Sequence, residues 1–172
     1  MKRGLLFLLL GFAAPLAAAP PATVASVDLA RYVGTWYEVA RLPNPFQKHC
    51  ACTSATYALL PDGRVSVLNR CRTPEGRLKE ARGKAWVVDR RTNARLKVRF
   101  FWPFSGDYWI LALDPDYRHV LVGTPNRRYL WILSRTPGLS EATVQALLAT
   151  ARAQGFDTTK VLRTPACGEG QP

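Results

Sequence analysis

The chain has 172 residues, of which 48% are hydrophobic and 21% are charged. This is the composition of a folded globular protein, and it excludes a mainly disordered chain or a bundle of membrane spans. If a targeting segment is removed, about 150 residues remain, enough for one domain that folds without a metal or a disulfide. The formal net charge of +12 favours anionic partners, but charge alone does not choose between lipids, nucleic acids and small acids.

The first residues have the pattern of an export signal. Lys2 and Arg3 precede an apolar run over 5–16 and a stretch of small residues over 17–19. A membrane anchor is the alternative, but glycine and proline interrupt a run that should be about 20 residues long. We expect residues 1–25 to be a signal peptide and residues 26–172 to form a single domain. Because no cysteine follows the run to carry a lipid, the sequence predicts a soluble periplasmic or secreted protein.

Four cysteines remain after the predicted signal. They are Cys50, Cys52, Cys71 and Cys167. In an oxidising compartment an even count predicts two disulfides, with three possible pairings. A zinc site that includes His49 is the alternative, but the Cys-x-Cys spacing is shorter than that of usual zinc knuckles. We therefore predict no metal site.

The rest of the chain is dominated by short β-type runs, each closed by Pro, Gly, Asp or Asn. Eight strands are predicted, over 35–42, 53–60, 64–72, 79–88, 95–102, 108–113, 119–123 and 129–134. Short turns, including one over 105–107, join them into an up-and-down meander of antiparallel neighbours. Apolar and polar residues alternate along several runs, so each strand has one dry and one wet face.

One stretch after the signal, over 139–154, has helical periodicity. Ser140 suits the N-cap, Glu141 suits the first turn, and apolar residues share one face before Gly155. Eight strands closed into a barrel leave no exposed edge and an interior wide enough for one small ligand, with this helix against the outer wall. A flat β-sandwich is the competing architecture.

Three stretches resemble the signature motifs of the lipocalins. They are the Gly-x-Trp of Gly34 and Trp36, the run from Asp114 to Tyr117, and the run from Trp131 to Arg135. They occur in this order, and the pattern is most similar to the group of bacterial outer-membrane lipocalins and apolipoprotein D. The resemblance implies an all-β, eight-stranded antiparallel up-and-down barrel with one C-terminal helix on its outside. It also implies binding, storage or transport of a small hydrophobic or amphiphilic ligand.

The motif residues are expected to be structural. Gly34 allows a tight bend into the barrel, Trp36 plugs the closed end, and the resemblance implies that Arg135 lies over that ring in a cation–π contact. Asp114 and Tyr117 belong to the second motif and are assigned the same kind of role.

Ligand contacts are predicted at inward positions near the open end. Counting by twos from Arg135 places Trp131 on the inward face, and the resemblance to apolipoprotein D implies Trp131, Tyr57 and Asn69. An unpaired buried amide is costly, so an inward Asn69 indicates bound water or a polar ligand group. The alternatives are backbone satisfaction of Asn69 at a bulge and plain core packing of Trp131.

Two loops carry more apolar residues than loops usually do. Phe46 lies in the first, over 43–46, and Trp102 and Phe104 lie in the second, over 101–104. We expect both at the mouth of the barrel, covering a ligand tail or touching a membrane surface. Basic residues are predicted to surround that mouth: Arg41, Lys48, Arg99, Arg127 and Arg128. This arrangement favours an anionic lipid, with a fatty acid or a lysophospholipid as the leading candidates.

The resemblance also implies a disulfide pairing. Cys52 corresponds to a cysteine that, in apolipoprotein D, joins another near the C-terminus, which here is Cys167. Cys50 and Cys71 would then link neighbouring strands of a hairpin. Exchanging Cys50 and Cys52 between the two partners remains open.

Enzymes and nucleic-acid-binding proteins are the other function classes. The cysteines lie near strand ends or termini and are predicted to be oxidised, and neither His49 nor His119 belongs to a catalytic constellation. Aromatic residues with positive charge would suit single-stranded nucleic acid, but most aromatics fall on dry faces and export removes the substrate. We predict a binding protein without catalytic residues, cofactor or nucleic-acid partner. A lipid-modifying enzyme or a surface-acting membrane-stress protein on the same fold is the alternative.

Overall fold

A computed structural model describes residues 19–166, so most of the predicted signal peptide and Cys167 lie outside the described residues. The strands are β1 (Gly34–Arg41), β2 (Cys52–Leu59), β3 (Val65–Arg72), β4 (Leu78–Val87), β5 (Arg95–Phe101), β6 (Phe104–Leu113), β7 (His119–Gly123), β8 (Leu130–Ser134) and β9 (Leu162–Arg163). The α-helices are α1 (Leu29–Tyr32) and α2 (Glu141–Ala153), and short 3₁₀ turns span Pro45–Gln47 and Thr158–Lys160.

Eight strands close into an antiparallel up-and-down barrel. Each strand from β2 to β8 pairs with its neighbour in sequence, and β1 pairs with β2 through its first half and with β8 through its second half. The short β9 pairs with β1 where β1 has left β2, with Ala40 opposite Arg163. The predicted barrel is therefore confirmed, and the flat sandwich is wrong.

Strand alternation divides the buried side chains into two cores. The inner core fills the barrel and includes Trp36, Ile110 and Val122, whereas Leu121 and Ile132 point outward toward α2. The apolar stripe of α2 lies over those outward residues and consists of Val144, Leu147, Leu148 and Ala151. These positions recur every three or four residues, which is the spacing of one helix face.

The α2 helix begins as its sequence predicts. The Oγ atom of Ser140 accepts a hydrogen bond from the backbone N–H of Thr143, and Glu141 lies in the first turn. Gly155 follows with a φ of 85°, a left-handed conformation that glycine adopts without a steric penalty. None of the helices within residues 19–166 is long and apolar enough to span a bilayer.

One local prediction was wrong, and one short helix was missed. The turn between β5 and β6 does not lie over 105–107, because β6 begins at Phe104 and Asp107 pairs with Lys97 in the ladder. The chain reverses at Trp102 and Pro103 instead. The four-residue α1 was not predicted, since it is too short for a periodic pattern; Asp28 caps it by accepting a hydrogen bond from Ala30 N–H at 2.8 Å.

Candidate functional site

The closed end of the barrel is built around Trp36. This side chain is fully buried, and its Nε1 donates to the carbonyl oxygen of Tyr32 at 2.8 Å. The Arg135 guanidinium lies 3.9 Å from the centre of the Trp36 ring. Gly34 has a φ of 100°, and a Cβ atom there would come within 3.1 Å of Arg135 Nη1. Trp36 therefore plugs this end and Arg135 packs against it, which is the structural role that the first and third motifs imply.

The second motif forms a tight turn beside that plug. Both carboxylate oxygens of Asp114 accept hydrogen bonds from the Arg118 side chain, at 2.9 and 3.0 Å. These bonds lower the pKa of Asp114 to about 2. Tyr117 has a φ of 60°, and its hydroxyl accepts a hydrogen bond from Asp28 N–H at 2.9 Å. Neither Asp114 nor Tyr117 points its polar group into the barrel.

Three tyrosines lie in the barrel interior, of which Tyr32 and Tyr57 are buried and Tyr108 is half-buried. The Tyr32 ring is centred 5.1 Å from the Trp36 ring, and the Tyr32 hydroxyl lies 2.7 Å from that of Tyr108. The Tyr57 hydroxyl lies 3.2 Å from the same Tyr108 oxygen. Burial raises the pKa of each phenol well above its ordinary value, so all three are neutral. The three hydroxyl groups carry three protons, and the two hydrogen bonds between them use two. One hydroxyl proton is therefore free to be donated to another group.

Asn69 supplies a second polar position in the barrel wall. It stands opposite Ala55 on β2 and Ala81 on β4, in ladders that run without a bulge. Its Oδ1 atom is buried and has no hydrogen-bond partner among residues 19–166. The proposed satisfaction by backbone at a bulge is therefore wrong. Both ladder neighbours are alanines, so neither can offer a hydrogen-bonding side chain to the amide.

Trp131 projects inward at the mouth, where loop residues cover it. Its Nε1 donates to Gln47 Oε1 at 3.0 Å, and its ring centre lies 6.3 Å from that of Phe46 and 6.0 Å from that of Tyr129. Phe46 itself remains 61% exposed. The Pro45–Gln47 turn is therefore a partial lid over the open end.

A buried carboxylate that was not predicted from the sequence, Glu38, holds this lid. Gln47 Nε2 donates to Glu38 Oε2 at 2.6 Å, and the Thr164 hydroxyl donates to Glu38 Oε1 at 2.6 Å. Burial raises the pKa of Glu38, against these hydrogen bonds and the charge of Arg41. Glu38 follows the first motif on the parity of Trp36, so alternation alone could have placed it inside.

The predicted ring of positive charge is wrong at three of its members. Arg41 is buried, with its Nε 3.1 Å from Glu38 Oε1. Arg127 donates to the carbonyl oxygens of Gln154 and Ala19, and Arg99 lies over the Trp86 ring on the outer wall. Each cation has a protein partner because a long side chain at a strand end reaches neighbouring carbonyls and rings. The other two members, Lys48 and Arg128, are exposed.

A disulfide joins the end of the lid loop to β3. Cys50 and Cys71 are bonded, with their Cα atoms 5.4 Å apart, which settles the pairing that the sequence left open for Cys71. Cys167 lies outside the described residues, so its bond to Cys52 stays a prediction. Because Cys50 is oxidised, the zinc alternative, a cluster of Cys50, Cys52 and His49, loses one of its ligands.

The remaining predicted contacts stand apart from the interior. Trp102 and Phe104 are 83% and 77% exposed at the tip of the β5–β6 hairpin. The structure thus brings Trp131 together with Phe46 at the mouth, and places Tyr57 and Asn69 deeper on the inner wall. Tyr108 was missed, although its alternation with Ile110 on β6 signals an inward position.

The motifs, the closed barrel and the plugged end identify the protein's family. Residues 27–166 match the family model described as a lipocalin-like domain. The chain belongs to the lipocalin family. Outer membrane lipoprotein Blc of Escherichia coli K12 is 43% identical to this lipocalin over 157 residues, 91% of this chain and 89% of that protein.

Two further proteins show how widely this lipocalin's sequence and fold recur. Mouse apolipoprotein D is 32% identical over 152 residues, which cover 84% of this chain and 79% of that protein. The crystal structure of lobster apocrustacyanin A1 is 21% identical and superposes with a TM-score of 0.67, covering 92% of this lipocalin and 96% of that chain. At that identity the superposition shows the shared fold.

Proposed function

We propose that this lipocalin binds one small amphiphile inside its barrel, for storage or transport, and catalyses no reaction. Asn69 carries the proposal, because its buried Oδ1 lacks a protein partner and leaving such an atom unsatisfied costs about 1 to 3 kcal/mol. Apolar side chains line the wall around it, including Val65 and Val67 on the same strand. A chain of methylenes with one polar end matches that distribution.

The unpaired atom favours one class of amphiphile over another. Asn69 Oδ1 accepts hydrogen bonds, and the glycerol hydroxyl of a lysophospholipid can donate one directly. A fatty acid carboxylate would need a bridging water at this oxygen. We therefore rank lysophospholipids above fatty acids as ligands, with the tail toward Trp36 and the head toward the mouth.

Burial of the tail provides most of the binding free energy. Ten to twelve methylenes contribute on the order of 8 kcal/mol at about 0.8 kcal/mol each, before the cost of association is deducted. Since about 8 kcal/mol corresponds to a dissociation constant near 1 μM, tail burial of this size supports micromolar affinity at best. An anionic head group near exposed Lys48 and Arg128 would contribute orientation and on-rate more than affinity, because exposed charges are screened.

Titration of delipidated, refolded protein tests the proposal. Lauroyl lysophosphatidylglycerol is expected to quench tryptophan fluorescence at one site per chain, and Trp131→Ala should weaken binding by roughly 2 kcal/mol, about 30-fold. The control Trp86→Ala removes a tryptophan on the outer wall and should leave the affinity unchanged. Equal affinities of the wild type and Trp131→Ala would contradict binding in the barrel.

A second pair of variants tests the role of the amide. Asn69→Leu should weaken lysophosphatidylglycerol binding about fivefold or more, since it removes a hydrogen bond worth about 1 kcal/mol. It should spare lauric acid, which lacks the hydroxyl. Ser66→Ala, on the outer face of the same strand, is the matched control. Equal losses of affinity for both ligands would mean that Asn69 does not distinguish between their head groups.

The proposed compartment is the periplasm or the extracellular space. The Cys50–Cys71 disulfide supports it, because such bonds persist in oxidising environments. Blc is named an outer membrane lipoprotein, which is consistent with an envelope location for a relative. The joined sulfurs of Cys50 and Cys71 also count against a thiol-based, lipid-modifying enzyme, since only a free thiolate is nucleophilic.

A further inference from the structure

The tip of the β5–β6 hairpin exposes aromatic side chains to a degree that the ligand site does not explain. Phe101, Trp102 and Phe104 are 75%, 83% and 77% exposed. They surround one tight turn at the end of the barrel that carries the lid, because the β5–β6 and β1–β2 connections lie at the same end of an up-and-down barrel. A contiguous aromatic cluster of this kind marks a surface that meets another apolar phase.

A cationic groove lies directly behind this tip. Its volume is about 290 Å³, and it is lined by Arg82, Gly83, Lys84, Arg99, Phe100 and Trp102. Lys84 and Arg99 are ladder partners, which places two positive side chains side by side. The Phe100 ring lies against Gly83, where a Cβ atom would come within 2.8 Å of it. Glycine therefore allows an aromatic floor beneath a cationic rim.

The surrounding outer wall is positive after its ion pairs are counted. Arg82 contacts Glu80 at 3.0 Å, and Lys97 contacts Asp107 at 3.1 Å. Within residues 19–166, neither Lys84 nor Arg99 forms a salt bridge: Lys84 only helps to lower the pKa of Asp62, which is paired with Arg64, and the Arg99 guanidinium lies 5.4 Å from the centre of the Trp86 ring. The groove thus keeps net positive charge next to exposed aromatics.

We propose that this hairpin docks the protein on an anionic phospholipid bilayer. Phe101, Trp102 and Phe104 enter the interfacial region, and the groove formed with Lys84 and Arg99 holds a lipid phosphate. Aromatic rings suit the boundary between head groups and acyl chains, and each basic residue near an anionic surface contributes about 1 kcal/mol. Docking turns the lid end of the barrel toward the bilayer, so that lipid can pass between them.

The charge of the groove selects a bilayer over the other possible occupants. In a symmetric dimer built on this face, Lys84 and Arg99 would lie against the same cations of the second copy, which repel. A role as a ligand cover needs the aromatics packed over the mouth, whereas they are more than 70% exposed. This inference does not rest on ligand binding in the barrel, because the aromatic tip and the cations Lys84 and Arg99 lie outside the inner core, which only the floor of the groove at Phe100 touches.

Sedimentation with sucrose-loaded vesicles tests the proposal on the mature chain. Vesicles with 30% phosphatidylglycerol in phosphatidylcholine are expected to bind the wild type more tightly than pure phosphatidylcholine, and this preference should shrink at high salt. Trp102→Ser with Phe104→Ser should weaken binding to both vesicles by at least about tenfold. Lys84→Gln with Arg99→Gln should selectively weaken binding to the anionic vesicles, by about fivefold per charge.

Matched controls lie at the opposite end of the barrel. Val88→Ser removes a 50% exposed apolar side chain there, and Arg90→Gln removes an exposed charge; both should bind vesicles like the wild type. Trp131→Ala should also bind vesicles normally, which separates this proposal from binding in the cavity. Thermal unfolding of every variant shows whether it is folded.

Three results would overturn the proposal. In the first, Trp102→Ser with Phe104→Ser binds vesicles as tightly as the control variants do. The wild type could form a dimer in sedimentation velocity that Trp102→Ser abolishes, which would make a second copy the occupant. Trp102→Ser could weaken lysophosphatidylglycerol binding to the free protein and leave vesicle binding intact, which would make the hairpin a cover for the ligand.

Discussion

At the scale of single residues, Arg135 stabilises the closed end through contacts that only a guanidinium can make together. It lies over the Trp36 ring and donates hydrogen bonds to four backbone carbonyl groups, those of Arg31, Tyr32, Thr35 and Tyr117. Arg135→Lys keeps the charge but loses the planar fork, so we expect a loss of about 2 to 3 kcal/mol in the free energy of unfolding. Urea denaturation measures it, with exposed Arg128→Lys as the control. A loss for Arg135→Lys that is no larger than the loss for Arg128→Lys would contradict this role.

Asp114 makes stability depend on acid. Its folded pKa of about 2 lies below the ordinary 3.8, so its contribution is present above pH 3.8 and is lost as the pH falls toward 2. Asp114→Asn should cost roughly 1 to 2 kcal/mol at pH 7 and progressively less as the pH falls through this window. Asp116→Asn, whose side chain is 73% exposed, is the control. A cost for Asp114→Asn that does not change between pH 7 and pH 2.5 would contradict the prediction.

Alternation within strands predicts which way a residue faces, but it does not predict contacts between segments that are distant in the sequence. The inward placement of Trp131 follows from counting by twos along β8. The bond from Trp131 to Gln47 joins residues 84 positions apart, and the Tyr32–Tyr108 contact joins residues 76 apart. Such pairs depend on barrel register and loop path, which no local pattern specifies. For this reason the sequence indicated an interior site and an apolar loop at its mouth, but not the bonds from Gln47 to Trp131 and Glu38 that hold the lid.

At the scale of elements, the lid depends on a carboxylate that burial makes costly to ionise. The pKa of Glu38 is raised, so the stability it contributes is fully present below its ordinary value of 4.5 and is lost as the pH rises through the folded pKa. Glu38→Gln with Arg41→Gln keeps the site neutral at every pH. We expect this double variant to remove that loss, as measured by urea unfolding from pH 4 to pH 8. If the free energy of unfolding of the double variant depends on pH as that of the wild type does, groups other than Glu38 cause this dependence.

The β5–β6 hairpin shows where local turn signals fail. Ser105, Gly106 and Asp107 have turn-forming propensity, yet Gly106 pairs with Val98 and Asp107 pairs with Lys97 in the ladder. Residues 101–106 are all exposed, so this extension of the hairpin lacks the burial period that marks a strand. All eight barrel strands and α2 were nevertheless predicted, because their apolar faces are buried and their ends carry turn or cap residues. In the exposed extension over 101–106, no face is buried, and the turn-forming residues lie within the strand and not at its end.

At the scale of the whole molecule, β1 closes the barrel by pairing with two strands. Its first half, from Gly34 to Tyr37, pairs with β2, and its second half, from Tyr37 to Arg41, pairs with β8. Every barrel strand therefore has a hydrogen-bonded neighbour on both sides, and Trp36 and Trp131 report on opposite ends of the same closed sheet. Separate unfolding of one end would have to break ladders that continue through the other end.

This closure predicts a single cooperative unfolding transition that ligand shifts as a unit. Far-ultraviolet dichroism, which follows the sheet, and tryptophan fluorescence, which follows both ends, should give the same urea midpoint. Lysophosphatidylglycerol at 100 times its dissociation constant should raise the free energy of unfolding by about 2.7 kcal/mol in both signals, because it binds only the folded barrel. Trp131→Ala should unfold at one midpoint as well, with a smaller shift at the same ligand concentration. Two separate midpoints, or a ligand shift seen by fluorescence alone, would mean that the mouth folds independently of the plugged end and that binding stabilises only the lid.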